Sequence, residues 1–105
     1  MAKGEKGRCY IIGDIISDEY DATVELFARV AVSVSRRGYI AVNPFEIGVL
    51  DDPHWADYVA AQLAVLTRCH SVYVIGGWER SSSAALQHAL AKKLGLEIIY
   101  EEGQP

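Results

Sequence analysis

Several features that would point directly to a function are scarce or missing. The 105-residue chain has only two cysteines, Cys9 and Cys69, far apart and in no CxxC pair. Neither a disulfide framework nor a cysteine-based metal site is called for, and two reduced, buried thiols are expected. The histidines, His54, His70 and His88, fall on different elements without ligand spacing, so no metal is expected. There is no GxSxG elbow, and Ser81–Ser83 with His88 therefore does not read as a hydrolase triad. Positive charge is in deficit, and a net charge of −4 argues against a nucleic-acid polymer as partner. No apolar run approaches a membrane span and no signal-peptide core follows Met1, so a cytoplasmic protein without a membrane partner is expected. There is no internal repeat and no low-complexity segment, and the length suits one domain with one core.

What is present centres on Ser71 to Gly95. Val72–Tyr73–Val74–Ile75 is too short for a helix and stops at Gly76–Gly77, which reads as a buried parallel strand. Three serines, Ser81, Ser82 and Ser83, then precede Ala84, Ala85, Leu86, Ala89, Leu90 and Leu94, an amphipathic helix that Gly95 can stop. A strand passing through a glycine turn into a Ser-capped helix leaves backbone N–H groups free at the helix start. Such an end favours phosphates, carboxylates and ribose hydroxyls.

The remaining chain alternates in the same way. Ala2–Gly7 reads as a polar, frayed start, Arg8–Gly13 as the first strand, and Asp14 follows at its C-terminal end. Asp18 or Asp21 can cap a helix whose inward stripe is Tyr20, Val24, Phe27, Ala31 and Val34, widened by Leu26 and Val30 and ended by Arg36–Arg37–Gly38. Tyr39–Val42 is a second strand, closed by Asn43–Pro44, and Phe45–Pro53 reads as a loop. Asp52–Pro53 starts a helix running from about His54 to Arg68, with Trp55, Val59, Leu66 and Cys69 facing inward and Gln62 in the same stripe. Glu97–Tyr100 is the fourth strand, before a polar tail, Glu101–Pro105. This β-α-β-α-β-α-β order predicts an α/β domain: a small doubly wound, flavodoxin-like parallel sheet, strand order 2-1-3-4, helices on both faces. The switch point between strands one and three brings Gly13–Asp14 beside Gly76–Glu79 and the serines.

The first strand ending in Gly13, the Asn43–Pro44 pair, Trp55-x-x-Tyr58, the Gly77–Trp78–Glu79-x-Ser81 turn, Ala84, His88 and Leu94–Gly95 together resemble the nucleoside 2-deoxyribosyltransferase-like family, in particular its small bacterial and phage branch of uncharacterised function. The resemblance implies cleavage or exchange of an N-glycosidic bond between deoxyribose and base. A carboxylate on the helix after strand three would act as nucleophile, and a second on the preceding helix would assist, as in retaining glycosidases. It also implies a homo-oligomer, a dimer or larger, and no cofactor.

At the positions matching those carboxylates this chain has Gln87 and Gln62, the Asp that often ends the second helix is His70, and the Pro after the first-strand glycine is Asp14. An amide can hold a sugar hydroxyl but is a poor nucleophile. Losing a positioned acid or base alone costs about 10²–10⁴-fold in rate. The expectation is therefore a nucleoside or nucleotide bound over Gly13, Asp14, Asn43, Gln62, Gly76, Gly77, Trp78, Glu79, Ser81, Ser82, Ser83 and Gln87, with little or no turnover. The two glutamines are expected to face one pocket. Two alternatives remain: an active N-glycosidase or transferase using Asp14 or Glu79, and an oligomeric interaction module marked by an apolar patch around Trp55, Tyr58 and Trp78. For Asp14 and Glu79 themselves, turn residues are the plainer reading. The serines also suffice as a helix cap, and Trp78 either stacks on a base or packs on its own loop.

Overall fold

Cys9–Ile12 and Val72–Val74 show no polar alternation because both faces of their strands are covered. The computed structural model describes residues 4–15, 19–47 and 55–102, and the side chains of Trp55 and Ala56 fall outside that description. The elements are β1 (Arg8–Ile12), α1 (Tyr20–Arg36), β2 (Ile40–Val42), α2 (Trp55–Leu66), β3 (Ser71–Val74), α3 (Ser82–Lys93) and β4 (Glu97–Tyr100). Short 3-10 turns occupy Pro44–Glu46 and Trp78–Arg80. Every strand pairing is parallel and the order is β2-β1-β3-β4, the arrangement expected from the sequence.

The crossovers put α1 on one face and α2 with α3 on the other. Phe27, Val30 and Val34 of α1 pack on Cys9, Ile11, Tyr73 and Ile75. Leu66 of α2 and Ala84 and Ala91 of α3 pack on Tyr10, Ile12, Val72 and Val74. Both cysteines are buried and free. Burial pushes the Cys9 thiol up to about 11. Among the described residues, the buried Tyr10 hydroxyl has no hydrogen-bond partner, and the Ser71 hydroxyl has only the Cys9 thiol beside it.

The structure corrects several sequence expectations. In α1 the buried stripe runs through Thr23, Phe27, Val30 and Val34, while Tyr20 is 55 % exposed. Tyr20 sits on the first turn, where its ring meets Phe45 edge-on instead of the sheet. Asp21 lies inside that turn and does not cap it; Glu19 holds the cap position without a side-chain bond. In α3 the buried face is Ala84, Gln87, His88 and Ala91, and Leu86 and Leu94 are about half exposed. Alanines let α3 approach β1, β3 and β4 together, which leaves Leu86 and Leu94 outside while Leu90 packs at the core's edge. The polar start is tied down from Lys6 onward, where Lys6 donates to the Gly38 carbonyl and the Gly7 carbonyl accepts from Ile40. Asp18, Asp52, Pro53, His54 and the side chain of Trp55 lie outside the described residues.

Candidate functional site at the β1/β3 switch point

At the C-terminal edge of the sheet, β1 and β3 each end in glycine for a different reason. A Cβ on Gly13 would lie 2.9 Å from the Phe27 ring and 3.1 Å from Ile75, so close packing with α1 requires glycine there. Gly77 has φ 89°, a left-handed conformation that turns the chain from β3 into the 3-10 turn Trp78–Arg80. Ser81 follows in extended conformation and caps α3, its Oγ accepting from the Ala84 N–H at 3.2 Å and lying 3.1 Å from Ser83 Oγ. Ser82 is exposed on the first turn.

The two glutamines meet. Gln87 of α3 is 5 % exposed, and its Nε2 donates to Gln62 Oε1 of α2 at 2.8 Å. The pair is neutral. It can offer hydrogen bonds, but it brings neither a nucleophile nor a negative charge.

On the same buried face of α3, toward β4, is a second polar cluster. His88 stacks on Trp78 with ring centroids 4.1 Å apart, and its Nε2 lies 2.8 Å from the Tyr100 hydroxyl. Burial lowers the His88 pKa, Lys92 lowers it further, and Glu79 opposes both. The shift favours the neutral imidazole, and one face of Trp78 is spent on packing.

The other candidates are dispersed. Asp14 is half-buried directly after Gly13, whereas Glu79 is exposed on the turn, close enough to His88 to act on its charge. Asn43 closes β2, which β1 separates from β3. Its Oδ1 accepts from the Phe45 N–H at 3.0 Å and caps the 3-10 turn that Pro44 opens. His70 lies at the opposite, N-terminal edge, where its Nδ1 accepts from the Arg8 N–H at 3.0 Å. Tyr58 is 39 % exposed on α2.

One residue at this edge is absent from the sequence-based set. The Glu101 carboxylate accepts from the Gly76 N–H at 3.1 Å, and the Glu101 N–H donates to the Val74 carbonyl at 2.9 Å. Glu101 thus continues β4 and places a negative charge on the glycine turn. The register explains the contact: Val74 pairs with Tyr100, which brings Glu101 alongside Ile75 and its carboxylate within reach of the next N–H, that of Gly76.

Among the described residues, no three His, Cys, Asp or Glu side chains gather to hold a metal ion. Among them, too, no helix is long and apolar enough to cross a membrane. No curated protein matches the chain. Residues 7–100 match the family described as "Domain of unknown function (DUF4406)", and the chain belongs to that family.

Proposed function

We propose that this member of the DUF4406 family binds a nucleoside- or nucleotide-type ligand at the C-terminal edge of its sheet and turns it over little or not at all. The observation that carries this reading is the Gln62–Gln87 pair, a neutral amide bridge where the resemblance to nucleoside 2-deoxyribosyltransferases implies carboxylates. The bridge uses one amide hydrogen of Gln87 and one lone pair of Gln62. The Gln87 oxygen and the Gln62 NH₂ keep further bonding capacity, one as an acceptor and the other as a donor. Gly13–Asp14, the Gly77–Glu79 turn and the Ser81–Ser83 end of α3 border the same switch point.

The test is a thermal-shift screen against nucleosides and nucleotides, followed by chromatography of each hit for free base. A ligand at a hundred times its dissociation constant adds about 2.7 kcal/mol, which raises the midpoint by roughly 10 °C or more in a domain this small. A raised midpoint with intact ligand is the expected result. Base release that Asp14→Asn or Glu79→Gln abolishes would replace it with the active-enzyme reading. No shift with any ligand would refute nucleoside binding.

A further inference from the structure

The backbone bonds of the Trp78–Arg80 turn are local. Arg80 N–H donates to the Gly77 carbonyl at 3.2 Å, and Ser81 N–H donates to the Trp78 carbonyl at 3.1 Å. The Trp78 ring ties this turn to the body of the domain, lying at the edge of the core and stacked on His88 at an interplanar angle of 24°. His88 is fixed in turn from β4, whose last residue, Tyr100, places its hydroxyl 2.8 Å from His88 Nε2. The next residue, Glu101, closes the circuit by accepting from the Gly76 N–H at 3.1 Å. The glycine turn, α3 and β4 thus meet around one imidazole that is 9 % exposed.

An imidazole is the side chain that ordinarily titrates near neutrality. The charges that reach this one are Lys92 from α3 and Glu79 from the turn. Arg80, on the same turn, bonds the Gly77 carbonyl instead, and from β4 the Glu101 carboxylate is turned to Gly76. Burial and Lys92 disfavour a proton on His88, and Glu79 favours one. The neutral ring stacks and bonds without burying a charge. A proton makes it a cation beside Lys92 with Nε2 a donor only, and that charge is better solvated if the ring leaves Trp78 for water.

We propose that His88 is a positioning residue of the candidate site. Neutral, it clamps Trp78 against α3 and β4 and holds the Gly77–Glu79 turn in its ligand-ready form; protonated, it releases Trp78 and the turn loosens. The effect on a ligand rests on the nucleoside-type reading above, whereas the clamp itself does not. A nucleoside that needs the clamped turn binds the neutral form. Its affinity is then level above the ordinary histidine range and falls as pH drops through the lowered His88 value, by at most about tenfold per pH unit because one proton is involved.

Tryptophan emission between pH 8 and pH 4.5, followed in the wild type and in His88→Gln, tests the clamp without a ligand. The difference between the two chains removes the contribution of Trp55. Acid should shift the wild-type emission to longer wavelength as Trp78 meets water, with a midpoint below the ordinary histidine range, and His88→Gln should lack that step. Lys92→Gln should raise the midpoint and Glu79→Gln should lower it, opposite shifts that a merely structural role would not produce. Thymidine, which has no group titrating in this range, is the probe for coupling. Its dissociation constant should rise about threefold or more between pH 7.5 and pH 5 in the wild type and stay level in His88→Gln. No His88-dependent shift overturns the clamp. A loss of intensity at fixed wavelength overturns its release, because the imidazolium would then stay on the indole face. Thymidine binding with one pH profile in both chains overturns the coupling. A chain that binds no nucleoside at any pH refutes the nucleoside reading, and the emission step still decides the clamp.

Discussion

Replacing Gln87 with glutamate would measure how dry the centre of the candidate site is. The change swaps the donor that bonds Gln62 for an oxygen, and the Gln62 amide must rotate to meet it. At 5 % exposure a carboxylate is poorly solvated, so its folded-state pKa should rise above the unfolded value of about 4.3. Between those two values the folded form holds more protons than the unfolded form. Stability must then fall as pH rises through that window and level off above the folded pKa. A rise of about two units, moderate for a buried carboxyl, is worth about 2.7 kcal/mol. In a domain of this length that is roughly 10–20 °C in midpoint. Thermal melts of wild type and Gln87→Glu from pH 4 to pH 8 should therefore nearly coincide at the acid end and separate above neutrality. A gap that does not change with pH would refute the reasoning, because position 87 would then solvate a charge as well as water does.

Two further perturbations test the framework around the site. Gly13→Ala would press a methyl group against Phe27 and Ile75, and overpacking of this kind costs about 1–3 kcal/mol in denaturant melts; Phe27→Leu in the same chain should return part of that loss, and strict additivity would count against the contact. His88, whose pKa is lowered, keeps fewer protons folded than unfolded, so its contribution to stability is intact above the ordinary histidine range and is lost as pH falls through it. His88→Gln should shrink the destabilisation seen between pH 7.5 and 5.5, and an unchanged slope would show that the imidazole is not held neutral.

The order of elements was legible because the first three strands are short apolar runs closed by glycine or Asn–Pro, and right-handed crossovers leave few ways to arrange four strands. The meeting of Gln62 with Gln87 was legible too, through the place of Gln62 on the inward stripe of α2 and the positions both glutamines hold in the family resemblance. Hydrophobicity misled where contact distance decides. In α3 the apolar pattern puts Leu86, Ala89 and Leu94 inward with Ala84 and Leu90, but close approach to three strands selects Ala84 and Ala91 with the polar Gln87 and His88 and leaves Leu86 and Leu94 about half exposed. Tyr20 failed similarly, because a helix's first turn can overhang the sheet. The pairings of Glu101 with Gly76 and of His88 with Tyr100 connect residues on separate elements, and no local period carries that information.

Glu101 also bears on which ligand the proposed site prefers. A glycine turn before a helix start attracts anions through its free backbone N–H groups. Here the Gly76 N–H is already bonded to a carboxylate from the end of β4. A phosphate entering at Gly76 would have to displace Glu101 and would meet its negative charge if displacement were incomplete. The Ser81–Ser83 end of α3 carries no carboxylate in its first turn. One turn further along α3 from the serines, the Gln62–Gln87 bridge contributes hydrogen bonds and no charge. A neutral ligand edge suits the bridge, and a phosphate, where the ligand has one, suits the serine end. On the proposed reading the base and sugar therefore lie toward the glutamines, and the charge of a nucleotide lies toward α3, away from Gly76.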